Sequence, residues 1–119
     1  FQPAIAAGLR LPDTYFTALA ADLQRKRDVL MTALDECGLR PITPEGTYFI
    51  TADVRGRRAD GDGIAFCREL PSQAGIVAIP AAVLYDPRHE LEGRHLVRFA
   101  FCKELSTIAR ASEQLRAWA

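Results

Sequence analysis

The sequence predicts a small α/β (α+β) open sandwich, in which helices cover a short mixed or antiparallel sheet in the order α-β-α-β-β-α. Three observations carry that expectation. A long segment near the N-terminus and another at the C-terminus repeat apolar residues at helical spacing. Three short runs between them are rich in β-branched and aromatic residues. The 119 residues, 49% apolar and 25% charged, suit one ordinary domain with its own core.

The chain opens on Phe1-Gln2-Pro3-Ala4-Ile5-Ala6-Ala7-Gly8-Leu9, which starts in mid-pattern and reads as cut from a longer polypeptide, a fragment. Residues 13–37 follow as a long helix on Phe16, Leu19, Leu23, Leu30 and Leu34, with Asp13 as its N-cap and Gly38 as its stop. Its centre, Gln24-Arg25-Lys26-Arg27-Asp28, is expected to face water as a solvated basic face while the two ends pack.

Residues 39–45 contain Pro41 and Pro44 and read as a loop, after which Gly46 admits a first strand over residues 47–54. Residues 55–63 read as a polar loop; its Arg55-Gly56-Arg57-Arg58 run lacks the interleaved aromatics of an RNA-binding surface. Asp62 caps a short helix striped by Ile64, Cys67 and Leu70 and ended by Pro71. A fully apolar second strand occupies residues 75–80, and a loop over residues 81–94 leads to a third strand over residues 95–103. Ser106 then caps a last helix with Ile108, Ala111, Leu115 and Trp118 on one side.

Lys plus Arg equals Asp plus Glu at 15 each, so no overall field steers the chain toward nucleic acid or an anionic membrane, and neither is an expected partner. No apolar stretch approaches the ~20 residues that span a bilayer, and a cytoplasmic setting is expected. Cys37, Cys67 and Cys102 are far apart and odd in number, and read as reduced apolar residues without metal-ligand spacing. Asp60-Gly61-Asp62-Gly63 reads as a turn and a helix cap, not a calcium loop.

The most informative residue is Arg98, alone in the apolar run His95-Leu96-Val97-Arg98-Phe99-Ala100-Phe101-Cys102-Lys103. At a strand's two-residue period both faces of this run are apolar, so both are expected to be buried. A guanidinium removed from water costs several kcal/mol unless an anion meets its planar fork. Arg98 therefore either closes an internal ion pair with Asp53 or Glu69, or reaches into a cleft and grips a ligand's carboxylate bidentately. Strand pattern alone leaves the two equal.

Three segments together carry a resemblance. Pro44-Glu45-Gly46-Thr47-Tyr48-Phe49-Ile50, then Gly75-Ile76-Val77-Ala78-Ile79-Pro80, then the Arg98 run resemble successive signatures of class I/II aminotransferases, the fold-type-I enzymes that use pyridoxal phosphate. The resemblance is strongest to the kynurenine, methionine and succinyldiaminopimelate aminotransferase branch. It implies that residues 1–12 are the tail of the large cofactor-binding domain or a linker, that residues 13–119 are the small C-terminal domain, and that residues 13–37 are the interdomain helix.

On this resemblance Arg98 holds the α-carboxylate of an amino-acid or 2-oxo-acid substrate, and Gly46 and Tyr48 line the cleft. A turn that starts the strand accounts for Gly46 equally well. The Schiff-base lysine, the aspartate on the pyridine nitrogen and the phosphate cup of such enzymes lie in the large domain. Lys26 and Lys103 do not match the lysine motif, so no catalytic or cofactor-binding residue is expected here, and the fragment alone is expected to be inactive. The resemblance further implies a homodimer. Ala81 and Leu84 depart from the glycine and the aromatic common in relatives, which leaves side-chain specificity open. A carbon–sulfur β-lyase of the same fold and an autonomous small ligand-binding module are the alternatives.

Overall fold

The computed structural model describes all residues 1–119. Its elements run α1 (Gln2–Gly8), α2 (Asp13–Glu36), β1 (Arg40–Ile42), β2 (Phe49–Asp53), α3 (Gly63–Ala74), β3 (Ile79–Pro80), α4 (Glu90–Gly93), β4 (Leu96–Ala100) and α5 (Leu105–Trp118). Short 3-10 turns at Val54–Gly56 and Ala81–Leu84 follow β2 and β3. The architecture is α+β, and the sheet is antiparallel throughout in the order β1-β2-β4-β3.

Helices α2, α3 and α5 pack on one face of the sheet only. Ile50 and Ala52 of β2 and Val97 and Phe99 of β4 point into that layer, where they meet Leu30, Leu34, Leu70, Ile108 and Leu115 in one continuous buried core. Alternation along the strands sends Phe49, Thr51, Leu96, Arg98 and Ala100 to the opposite face, which is half-exposed. The expectation that both faces of the Arg98 strand are buried is thus corrected: this chain covers one face and leaves the other open.

The elements differ from the sequence reading where local signals were overridden. Residues 40–42 form an edge strand despite Pro41, because an edge residue needs no partner for the missing N–H. Pro71 does not end α3. Buried Leu70 and Ala74 anchor the last turn, which closes on left-handed Gly75. That turn leaves only Ile79 and Pro80 of the apolar run 75–80 paired with β4.

The cap expectations also shift. Glu104, not Ser106, holds the cap position of α5, and Pro12 stands before α2 with Asp13 as the first helical residue. Asp62 does cap α3, accepting from the Ala65 amide at 2.9 Å, while Asp60 accepts from the Asp62 amide and shapes the turn before it.

Helix α2 packs chiefly through its second half, on Leu30, Ala33 and Leu34, with Leu23 partly buried against the core. Its first turns, with Tyr15, Phe16 and Leu19, stand clear of the core and continue α1, which has no buried residue. The expectation that both ends pack is corrected accordingly. This arm raises the radius of gyration to 16.1 Å, against about 13.5 Å for a compact chain of this length. The Gln24–Asp28 segment is solvated only in part: Gln24, Arg25 and Asp28 are exposed, while Lys26 and Arg27 are half-buried, with Arg25 and Lys26 paired with Asp22 and Arg27 with Asp28.

Candidate functional site

The open sheet face places Arg98 at its centre. Strand β4 is flanked by β2 and β3, so Arg98 has Thr51 opposite it on one side and Ile79 on the other. The residue is half-buried, held by a strand whose alternate residues Val97 and Phe99 are locked in the core. A side chain with this anchorage leaves the sheet from a fixed origin.

Neither internal acid takes the Arg98 guanidinium. Asp53 is bound by Arg55, whose side chain donates to both carboxylate oxygens at 2.6–3.0 Å. Those hydrogen bonds from Arg55 hold the Asp53 carboxyl below the usual carboxylate range, against the opposing effect of burial. Glu69 is bound by Arg58 at 2.9 Å, and Arg58 also meets Asp60. What Arg98 does touch is an aromatic ring: its guanidinium carbon lies 3.9 Å from the centroid of Phe49. Phe49 in turn leans on Tyr48, with centroids 4.6 Å apart and planes inclined at 42°.

The three sequence-singled residues fall in two places. Tyr48 is half-exposed at the start of β2, and its carbonyl accepts from the Phe101 amide at 3.0 Å, so it joins the aromatic wall beside Arg98. Gly46 lies in the exposed turn before it, where a Cβ would meet nothing within 4 Å. It lines a cavity of about 320 Å³ between the turn and α2, with Leu23, Arg27, Thr47 and Phe101, and Arg98 is not among the lining residues. The positive φ of that turn belongs to Thr47, at 64°, and not to the glycine.

Phe49 is the residue that sequence reading missed. The sequence puts it in the first strand, but its meeting with Arg98 depends on cross-strand register. Phe49 is directly opposite Ala100 and diagonal to Arg98, a relation no local pattern reveals. Ala81 is buried in the 3-10 turn after β3, and Leu84 ends that turn exposed.

A half-buried cation with free donors, set on an aromatic wall at an open sheet face, has the chemistry to meet an anion. Comparison with known proteins gives it a family. The family model for aminotransferase class I and II matches residues 1–113, and this chain belongs to that family. The probable N-succinyldiaminopimelate aminotransferase of Mycobacterium tuberculosis is 38% identical over 97% of this chain. Human kynurenine–oxoglutarate transaminase 1 is 32% identical over 92% of it.

Solved structures agree. N-succinyldiaminopimelate aminotransferase from Mycobacterium tuberculosis superposes with a TM-score of 0.85 at 39% identity, covering 99% of this chain and 30% of its own. YbdL of Escherichia coli, reported with a methionine aminotransferase function, gives 0.81 at 36% identity, covering 96% and 29%. The chain spans about 30% of the length of the relatives it matches.

Proposed function

We propose that this chain is the small domain of a pyridoxal-phosphate-dependent amino-acid aminotransferase, in which Arg98 binds the substrate α-carboxylate. The observation that carries the reading is a half-buried guanidinium whose two candidate internal acids are both occupied by other arginines. A planar fork matches a carboxylate through two parallel N–H···O bonds, and partial burial strengthens them relative to water. Tyr48 lines the approach to Arg98 in this reading, and Gly46 keeps the neighbouring turn free of side-chain bulk.

The domain division follows the same reading. Ile5, Leu9, Tyr15, Phe16 and Leu19 form an exposed apolar arm, which suits packing against the remainder of a longer enzyme. In this reading residues 1–12 are the tail of the large domain or a linker, residues 13–119 form the small domain, and residues 13–37 form the interdomain helix. The homodimer implied by the family resemblance and the cytoplasmic setting expected from the sequence complete the proposal; no helix of the chain is long and apolar enough to cross a membrane.

Pyridoxal phosphate, when bound, supplies the electron sink for labilising bonds at the substrate α-carbon. The residues present here do not form its cradle. Lys26 is engaged by Asp22 on α2, and Lys103 lines a separate cavity beside Thr107 and Arg110. This chain's share is therefore to bind and orient the substrate and to exclude water as the domains close.

Arg98→Ala in the full-length enzyme tests the assignment. Loss of a paired carboxylate contact costs about 2–5 kcal/mol, so kcat/KM for the amino acid should fall roughly 30-fold to several thousandfold while the cofactor absorbance stays. Unchanged kinetics overturns the assignment. Scoring glutamate formed from 2-oxoglutarate against released ammonia and pyruvate separates transamination from β-elimination.

A further inference from the structure

We propose that Phe49 is a positioning residue for Arg98: its ring takes the place of the internal acid that a half-buried arginine would otherwise have, holding the guanidinium without occupying its donors. The inference rests on the reading of Arg98 as the carboxylate anchor.

A guanidinium on a strand needs something to fix its plane. An acidic neighbour would do so, but it would fill the fork and compete with an incoming carboxylate. An aromatic face attracts the cation through its quadrupole while the N–H groups point outward in the guanidinium plane, away from the ring. The guanidinium carbon lies over the Phe49 ring, 3.9 Å from its centroid, within reach of that attraction. Asp53, diagonal to Arg98 across β2 and β4, is withheld by Arg55, so the ring is the contact that orients Arg98.

The ring is itself held. Phe49 sits in β2 directly opposite Ala100, whose small side chain leaves room for it to lie toward Arg98, and Tyr48 backs it at 4.6 Å. Strand β2 is fixed from the other face by Ile50 and Ala52, both fully buried. The direction of Arg98 is thus set by two strands and one ring before any ligand arrives, which lowers the ordering cost of binding.

The test uses the full-length enzyme with Phe49→Leu, Phe49→Tyr, Arg98→Ala and the double variant Phe49→Leu/Arg98→Ala. Inhibition by propionate, a bare carboxylate, is measured alongside KM and kcat for the amino acid. Phe49→Leu should raise both the propionate inhibition constant and KM about three- to tenfold with kcat little changed, and Phe49→Tyr should restore them. In the Arg98→Ala background Phe49→Leu should add nothing, because the ring acts through the arginine.

An equal loss in both backgrounds would mean that the ring touches the ligand directly, and would overturn the proposal. So would normal propionate inhibition in Phe49→Leu with strong loss in Arg98→Ala, an outcome that leaves the carboxylate anchor standing. No loss in Arg98→Ala removes the anchor and the positioning role with it.

Discussion

Asp53 accepts hydrogen bonds from Arg55, two residues along the chain, on both carboxylate oxygens and none from Arg98 on the adjacent strand. This local pair closes the end of β2, where the Arg55 amide also donates to Asp53 at 2.9 Å. It neutralises the acid that lies diagonal to Arg98 and leaves the open face with an unmatched positive charge.

The pair has a signature in acid. The Asp53 carboxyl is held below its ordinary range chiefly by Arg55, so the ionised form is favoured by folding. Its contribution is complete above the unfolded carboxylate range and is lost as pH falls through the lower folded value. Asp53→Asn should therefore cost about 1 kcal/mol near neutrality and flatten the loss of stability in acid. Urea unfolding at pH 7 and at pH 3 checks this, and parallel pH profiles for the two proteins would refute it.

Arg98 should be nearly neutral for stability. A buried arginine paired with an internal acid costs about 3–5 kcal/mol when its partner is stranded, but removing Arg98 strands none, since Asp53 and Glu69 keep their own arginines. Arg98→Met should change the unfolding free energy by less than about 1 kcal/mol. Chemical denaturation of the full-length protein decides, and a large loss would point to a structural ion pair.

The three long helices α2, α3 and α5 and both central strands are legible because their periodicities are local: Leu30 and Leu34 repeat along α2, and Val97 and Phe99 alternate along β4; the short α1 and α4 carry too few residues to show a period. The open face was not, because Leu96 and Ala100 are apolar while nothing in this chain covers them; an apolar residue does not declare which body it packs against. The exposed start of α2 is hidden from the sequence for the same reason, since Phe16 and Leu19 carry the pattern of a packed stripe. In the site, Arg98 was visible as a lone charge in an apolar run. Phe49 was not, because its meeting with Arg98 is fixed by strand register, and register depends on pairing between segments about fifty residues apart.

Gly56 is required by contact and not by its backbone angle. A Cβ there would fall on the carbonyl oxygen of Gly38, backbone that cannot move aside without disturbing the end of α2. Gly56→Ala should destabilise by about 2–4 kcal/mol, measured by thermal or denaturant unfolding, with no direct effect on the open face. A loss below 1 kcal/mol would show that the two loops slide apart freely.

The three thiols should sort by environment. Burial pushes the Cys67 thiol up to about 11 and raises that of Cys37, so neither offers appreciable thiolate at pH 8. Cys102 is exposed beyond the end of β4. Peptide mapping after brief iodoacetamide treatment of the native protein should find Cys37 and Cys67 unmodified. Rapid modification of either would mean that the α2–α3–α5 layer opens readily.

Thr47 carries the one positive φ among non-glycine residues, at 64°, just before Tyr48. A β-branched side chain in the left-handed region meets its own backbone, a strain of about 1–2 kcal/mol. The conformation is imposed from both sides: the Tyr48 carbonyl is tied to the Phe101 amide at 3.0 Å, and Arg27 donates to the Pro44 carbonyl at 3.3 Å. Thr47→Asn, whose side chain tolerates this region, should stabilise the protein by about 0.5–1 kcal/mol, whereas Thr47→Val should not. Differential scanning calorimetry of the two variants makes the comparison, and equal melting temperatures would show that the turn relaxes without strain.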